Sequence, residues 1–136
     1  MADELLSKDD ILGMDDVQIE EVTVPQWGGR KVLVSGFTAA GWNAYEMSVS
    51  EIKGGSRRAK LENATAKLVQ RTLIDRQRQL LFTESDVVKL GTKSSAALEL
   101  LAGVALRLSG RGPKEMEELV KNSDAAQSGD SPSASL

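Results

Sequence analysis

The chain has 136 residues, neither cysteine nor histidine, and 17 basic against 20 acidic side chains for a net charge of −3. That length suits one domain with a modest core. The two missing residue types exclude disulfides, thiolate metal sites and every Ser-His or Cys-His nucleophile pair. Trp27, Phe37, Trp42, Tyr45 and Phe82 are the only aromatic residues, so Leu, Val, Ile and Ala must build most of the core. No run approaches the roughly 18 apolar residues of a membrane span, and no signal-peptide pattern opens the chain. A soluble cytoplasmic protein with no membrane partner is the expectation.

The small net charge hides segregation. Residues 1–21 hold eight acids against Lys8, a net of −7, and residues 53–78 hold eight bases against Glu62 and Asp75, a net of +6. The two segments attract one another, within a chain or between subunits, but screening over about 8–10 Å keeps this weak without direct contact.

Residues 1–16 are acidic and aperiodic, a flexible leader with one turn of helix near 8–12. From 17 to 25 apolar and polar residues alternate, with Val17, Ile19, Val22 and Val24 apolar and a phase slip between Ile19 and Val22. Val32 and Val34 mark a second short strand. Gly28-Gly29 supplies the positive φ angles of a tight turn, which predicts a hairpin. Pro25 cannot donate to a ladder and belongs at an edge or in the connection.

Thr38 suits the N-cap of a helix over 39–52, with Trp42, Tyr45, Val49 and Ile52 as its apolar stripe. Gly54-Gly55-Ser56 breaks it. Residues 57–74 read as the longest helix, with Leu61, Ala64, Leu68 and Leu73 on a buried face and cations outside. A polar connection over 75–79 leads into three short helices across 80–122. Thr83 and Asp86 form a capping-box start, and Gly91 ends that helix. Ser94 or Ser95 begins the next, whose Leu98, Leu101, Ala102, Ala105 and Leu108 fall at helical spacing. Gly110 and Gly112 end it, and Pro113 suits the first turn of a last helix.

Beyond Asn122 only small and polar residues follow, without periodicity, which predicts disorder. The fold expected is α+β and predominantly helical: an N-terminal β-hairpin packed on four to five helices, with disordered termini. The divisions are a leader over 1–16, one domain over 17–122 and a tail over 123–136.

No pattern points to catalysis, a metal or a cofactor. The pairs Asp9-Asp10, Asp15-Asp16 and Glu20-Glu21 lie on a leader that cannot hold the fixed separation acid/base work or calcium binding needs. Gly28-Gly29 beside Arg30-Lys31, and Gly54-Gly55-Ser56, lack the spacing of a phosphate loop and read as turns. The basic stretch reads either as a nucleic-acid footprint or as a solvated or partner-facing surface. Without interleaved aromatics, in an acidic protein, the second is favoured. Candidate partner-binding residues are Trp27, which either anchors a partner or packs back onto a helix; Arg57, Arg58 and Arg71 on the cationic face; and Val87, Leu100 and Val104, which lie off the main apolar lines.

The string LFTESDVVKLGTKSSAALELLAGVALRLSG, with EMEELVKN after it, resembles the tail assembly chaperones of long-tailed, siphovirus-type bacteriophages. Upstream, DDILGMDD before VTVPQWGGRKVLVSGFTAAGWNAYE is similar to that family's "VPxWGG, strand, then helix" opening, so the resemblance spans roughly residues 8–122. It implies a non-enzymatic protein that binds the tape measure protein and keeps it soluble while tail tube subunits polymerise around it. It also implies work in the host cytoplasm and absence from the mature virion. In many members a ribosomal frameshift yields a longer form whose extra part recruits tail tube protein. The segregated charge adds a homo-oligomer to the expectation. A small helical nucleic-acid-binding regulator and a structural virion component are the alternatives.

Overall fold

The computed structural model describes residues 4–113, which form five α-helices and five strands. The first helix, α1 (Lys8–Leu12), is the single turn expected in the leader. A reciprocal cap starts it: Ser7 Oγ accepts from the Asp10 N–H at 3.1 Å, and the Asp10 carboxylate accepts from the Ser7 N–H at 3.0 Å. Both partners satisfy backbone donors that a helix N-terminus otherwise leaves open.

Strand β1 (Ile19–Val24) pairs antiparallel with β2 (Arg30–Ser35) in an unbroken register from Ile19 opposite Ser35 to Val24 opposite Arg30. The expected hairpin is therefore present. Its connection is a 3₁₀ turn, Pro25–Trp27, closed by Gly28 and Gly29 at φ +73° and +70°. Pro25 lies in the connection, where its missing N–H removes nothing from the ladder. Val22, Val24 and Val34 turn into the core.

Thr38 caps α2 (Ala39–Ser48), accepting from the Gly41 N–H at 2.9 Å. The helix stops at Val49 instead of running to 52. Ser48 Oγ bonds the Tyr45 carbonyl at 2.6 Å and Ser50 Oγ the Glu46 carbonyl at 2.9 Å, side-chain bonds that compete with continued helix. Beyond them β3 (Ser50–Lys53) and β4 (Ser56–Ala59) form a second hairpin, closed by Gly54 and Gly55 at φ +61° and +80°. Two successive positive φ angles suit a two-residue hairpin loop.

This arm replaces the first part of the long helix expected over 57–74. Arg57 and Arg58 lie on β4, and the helix that does form, α3 (Ala64–Gln70), begins only after Asn63 at φ +56°. Leu61 and Ile52, expected on buried faces, are 70% and 74% exposed. Leu68 is buried on α3, but Leu73 is buried in a strand. The physical reason for the correction is burial: nothing covers residues 50–62, so turn chemistry prevails there over helical spacing. Thr72 Oγ1 bonds the Leu68 carbonyl at 3.0 Å as α3 ends. The chain then enters β5 (Leu73–Ile74), which pairs with β2 and completes a sheet of order β1-β2-β5.

The C-terminal start and stop signals hold. The Thr83 N–H donates to the Asp86 carboxylate at 2.8 Å ahead of α4 (Val87–Leu90), which ends at Gly91. Ser94 Oγ accepts from the Ala97 N–H at 3.2 Å and opens α5 (Ser95–Leu108). Ala97, Leu98, Leu101, Ala102 and Ala105 on α5 are buried against α3 and the β1–β2 hairpin. Burying a side chain such as Leu101 contributes about 1.5–3 kcal/mol.

The far end of α5 meets β2 closely. A Cβ on Gly36 would lie 3.0 Å from the Leu108 carbonyl oxygen. Ser109 Oγ accepts from the Phe37 N–H at 2.8 Å and donates to the Ala105 carbonyl at 2.7 Å. The helix expected after Pro113 and the tail over 123–136 fall outside the described residues.

Candidate partner-binding surfaces

Trp27 sits at the end of the 3₁₀ turn, which packs on α5, and the two following glycines let the chain reverse. With Phe82 and Leu90 it lines an apolar groove of about 430 Å³, bordered by Asp86, Lys89 and Lys93. Each part is held in place. Gln70, itself buried, donates from Nε2 to the Phe82 carbonyl at 3.0 Å. Leu90 is buried at the end of α4. Trp27 is half-buried and packs against the core, so one indole both supports the hairpin and lines the groove. An apolar floor with ammonium groups on its border suits the apolar side chains of an amphipathic segment that also carries acids.

The other candidates are dispersed. Arg57 and Arg58 lie on the exposed arm, with the Arg57 guanidinium 3.9 Å from Met47 Sδ. Arg71 caps the C-terminus of α3 and pairs with Glu84 at 3.0 Å, its side chain only 20% exposed. The three arginines therefore do not share a helix face. Val87 is buried in the core, and its neighbour Val88 is the exposed one at 70%. Val104 packs partly against the core, while Leu100 is 38% exposed on the outer side of α5.

Sequence reasoning singled out Trp27 but not Phe82, Lys89, Leu90 or Lys93. Their apolar and basic character was visible, but only the tertiary fold brings them to the hairpin turn. The leader was another omission. Leu6, Ile11, Leu12 and Met14 are all exposed large apolar residues, and α1 buries none of its side chains.

Electrostatics at these surfaces are mild. Arg78 lies 3.0 Å from Asp15 and holds the Asp15 carboxyl below its ordinary range by hydrogen bonding and then by charge. The backbone and then the side-chain bonds with Ser7 lower Asp10 in the same way. Burial raises the Tyr45 phenol, which packs with Phe37 and Trp42 at ring separations of 5.8 and 5.3 Å. Arg111 stacks over Trp42 at 4.0 Å, a cation–π contact that ties the end of α5 to α2.

Among the described residues, no group of three or more His, Cys, Asp or Glu is placed to hold a metal ion. No helix among them is long and apolar enough to cross a membrane. Among known families, the model described as phage tail assembly chaperone matches residues 14–126. No curated protein and no solved structure matches the chain.

Proposed function

The chain belongs to the phage tail assembly chaperone family, and from that premise we propose that it binds the tape measure protein and keeps it soluble while the tail tube polymerises around it. The role needs no chemistry. What supports the reading is the Trp27–Phe82–Leu90 groove, an apolar surface of a size to cover side chains from a helical client,. Each apolar side chain fully buried there is worth about 1.5–3 kcal/mol, against several kcal/mol lost on association. A single groove therefore binds weakly.

A homo-oligomer presenting many grooves to one long client converts weak contacts into useful avidity. The exposed Arg57 and Arg58 act on encounter with acidic partners more than on final affinity. Arg71 is already engaged by Glu84, so reversing its charge would disturb the fold as well as the surface. The proposal places the protein in the host cytoplasm and outside the mature virion. Tail tube protein is a further partner, reached chiefly through a longer, frameshifted form.

Nucleic acid is not among the proposed partners. Lys53, Arg57, Arg58 and Lys60 lie on and beside a short exposed hairpin with no aromatic residue for base stacking,.

The direct test is co-expression with a tape measure segment. The wild-type chain should hold the segment in the soluble fraction, and Trp27→Ala or the double change Lys89→Glu/Lys93→Glu should reduce that fraction while circular dichroism shows the fold retained. A segment equally insoluble with and without the wild-type chain would overturn the proposal.

A further inference from the structure

We propose that the leader of a second copy, residues 4–14, seats its apolar side chains in the Trp27 groove when no client is present. The docking stands on features of both surfaces. Its regulatory meaning, that client must displace a neighbour's leader, rests on the groove being the client site.

The leader is ordered locally but has no core of its own. The Ser7–Asp10 cap closes a defined turn, yet Leu6, Ile11, Leu12 and Met14 remain exposed, Leu12 by 75%. A helix of five residues lies far below the ~12–15 needed for even marginal stability in water. A stable α1 therefore needs a surface to lie on.

The groove has what that segment lacks. Trp27, Phe82 and Leu90 offer an apolar floor, and Lys89 and Lys93 stand on the border against the single acid Asp86. Residues 4–16 carry Glu4, Asp9, Asp10, Asp15 and Asp16 against Lys8. Apolar character meets apolar character, and acidic charge meets basic charge.

The occupant comes from another copy. Within one chain Asp15 is joined to Arg78 at 3.0 Å, and α1, already formed, leaves every side chain unburied instead of lying in its own groove. A neighbour's leader, tied by the same pair to its own chain, is brought to this groove by the approach of the two copies. The resulting contact joins leader to groove, so reciprocal exchange closes a two-fold dimer and one-way exchange runs from copy to copy. Few apolar side chains are buried in it, which keeps the plug exchangeable.

Trp27 itself supplies the readout. In the full chain carrying Trp42→Phe, tryptophan emission reports the groove alone. Emission should shift to the blue as concentration rises, in step with the sedimentation coefficient. Ile11→Asp/Leu12→Asp, at exposed positions outside the core, should weaken self-association by about tenfold or more and leave Trp27 emission red-shifted. Lys89→Glu/Lys93→Glu, in the otherwise unaltered sequence, should give the same loss by sedimentation without relying on Trp42→Phe. A peptide of residues 4–14 in excess should dissociate the oligomer yet keep Trp27 emission blue.

Emission independent of concentration would overturn the proposal, whether or not the leader variant alters it. So would self-association unaffected by both double variants. A client segment that binds without competing with the peptide would leave the docking in place and remove the groove from the client reading.

Discussion

Helix α5 and the β3–β4 arm are both well defined, but different forces define them. On α5, Leu98, Leu101, Ala97, Ala102 and Ala105 are buried, and the helix touches α3, β1 and β2. On the arm every residue from Glu51 to Ala59 is exposed, and two glycines and a four-pair ladder set its shape. A lone two-stranded hairpin is marginal in water. The core side of the molecule is therefore fixed by what it buries. The arm, like the leader, is shaped locally and offers its side chains to solvent or to another molecule.

The largest expected effect lies on α5. Leu101→Ala should cost about 2–5 kcal/mol, whereas Ile52→Ala on the arm should stay within about 0.5 kcal/mol. Chemical denaturation of the two variants compares them directly. A large loss at Ile52 would break the contrast by showing that the arm is covered.

At the seam between β2 and α5, Gly36→Ala should cost about 1–3 kcal/mol, because its Cβ meets the backbone of Leu108 and not a side chain that can move,. Ser109→Ala leaves the Phe37 N–H without its acceptor and falls in the same range, about 1–3 kcal/mol,. Gly55→Ala provides the counterpart on the arm. Its φ of +80° disfavours a side chain,, so amide exchange within β3 and β4 should quicken while the global unfolding midpoint barely moves. A shift in the global midpoint as large as that of Gly36→Ala would show the arm to be coupled to the core.

The smallest effect belongs to the leader. Arg78 depresses the folded-state pKa of Asp15, so the pair's stabilisation is present above the ordinary carboxylate value of 3.8. It is lost as pH falls through the lower folded value. Asp10, depressed by Ser7, has the same sign. Both groups are solvated, so the change should be slight, and Asp15→Asn should remove the Asp15 share while leaving that of Asp10. Thermal unfolding of wild type and variant over the acid range is the check. A stability gain on acidification traced to Asp15 would contradict the ion pair.

The same division governs what could be read from the chain. Thr38, Ser94 and the Thr83–Asp86 pair signal helix starts through bonds to residues three positions on, so those starts were legible, whereas the Ser7 cap of α1 emerged only in the structure. The α5 stripe was legible because its spacing coincides with burial. The arm was not. Residues 57–74 carry apolar positions at helical spacing, but Leu61 is never covered, and the left-handed start at Asn63 leaves no pattern. For the groove, Trp27 was visible as an anchor beside two glycines. Phe82, Lys89, Leu90 and Lys93 join it only through the tertiary fold, with α4 packed on α3 and the turn that carries Trp27 packed on α5.

The most direct measurement is site-specific photo-crosslinking with a tape measure segment present, comparing a crosslinker at position 89 on the groove border with one at position 57 on the arm. Adducts to the segment should form from position 89 and be scarce from position 57. Adducts chiefly from position 57, or from neither position while the segment remains bound, would contradict a client seated in the Trp27 groove.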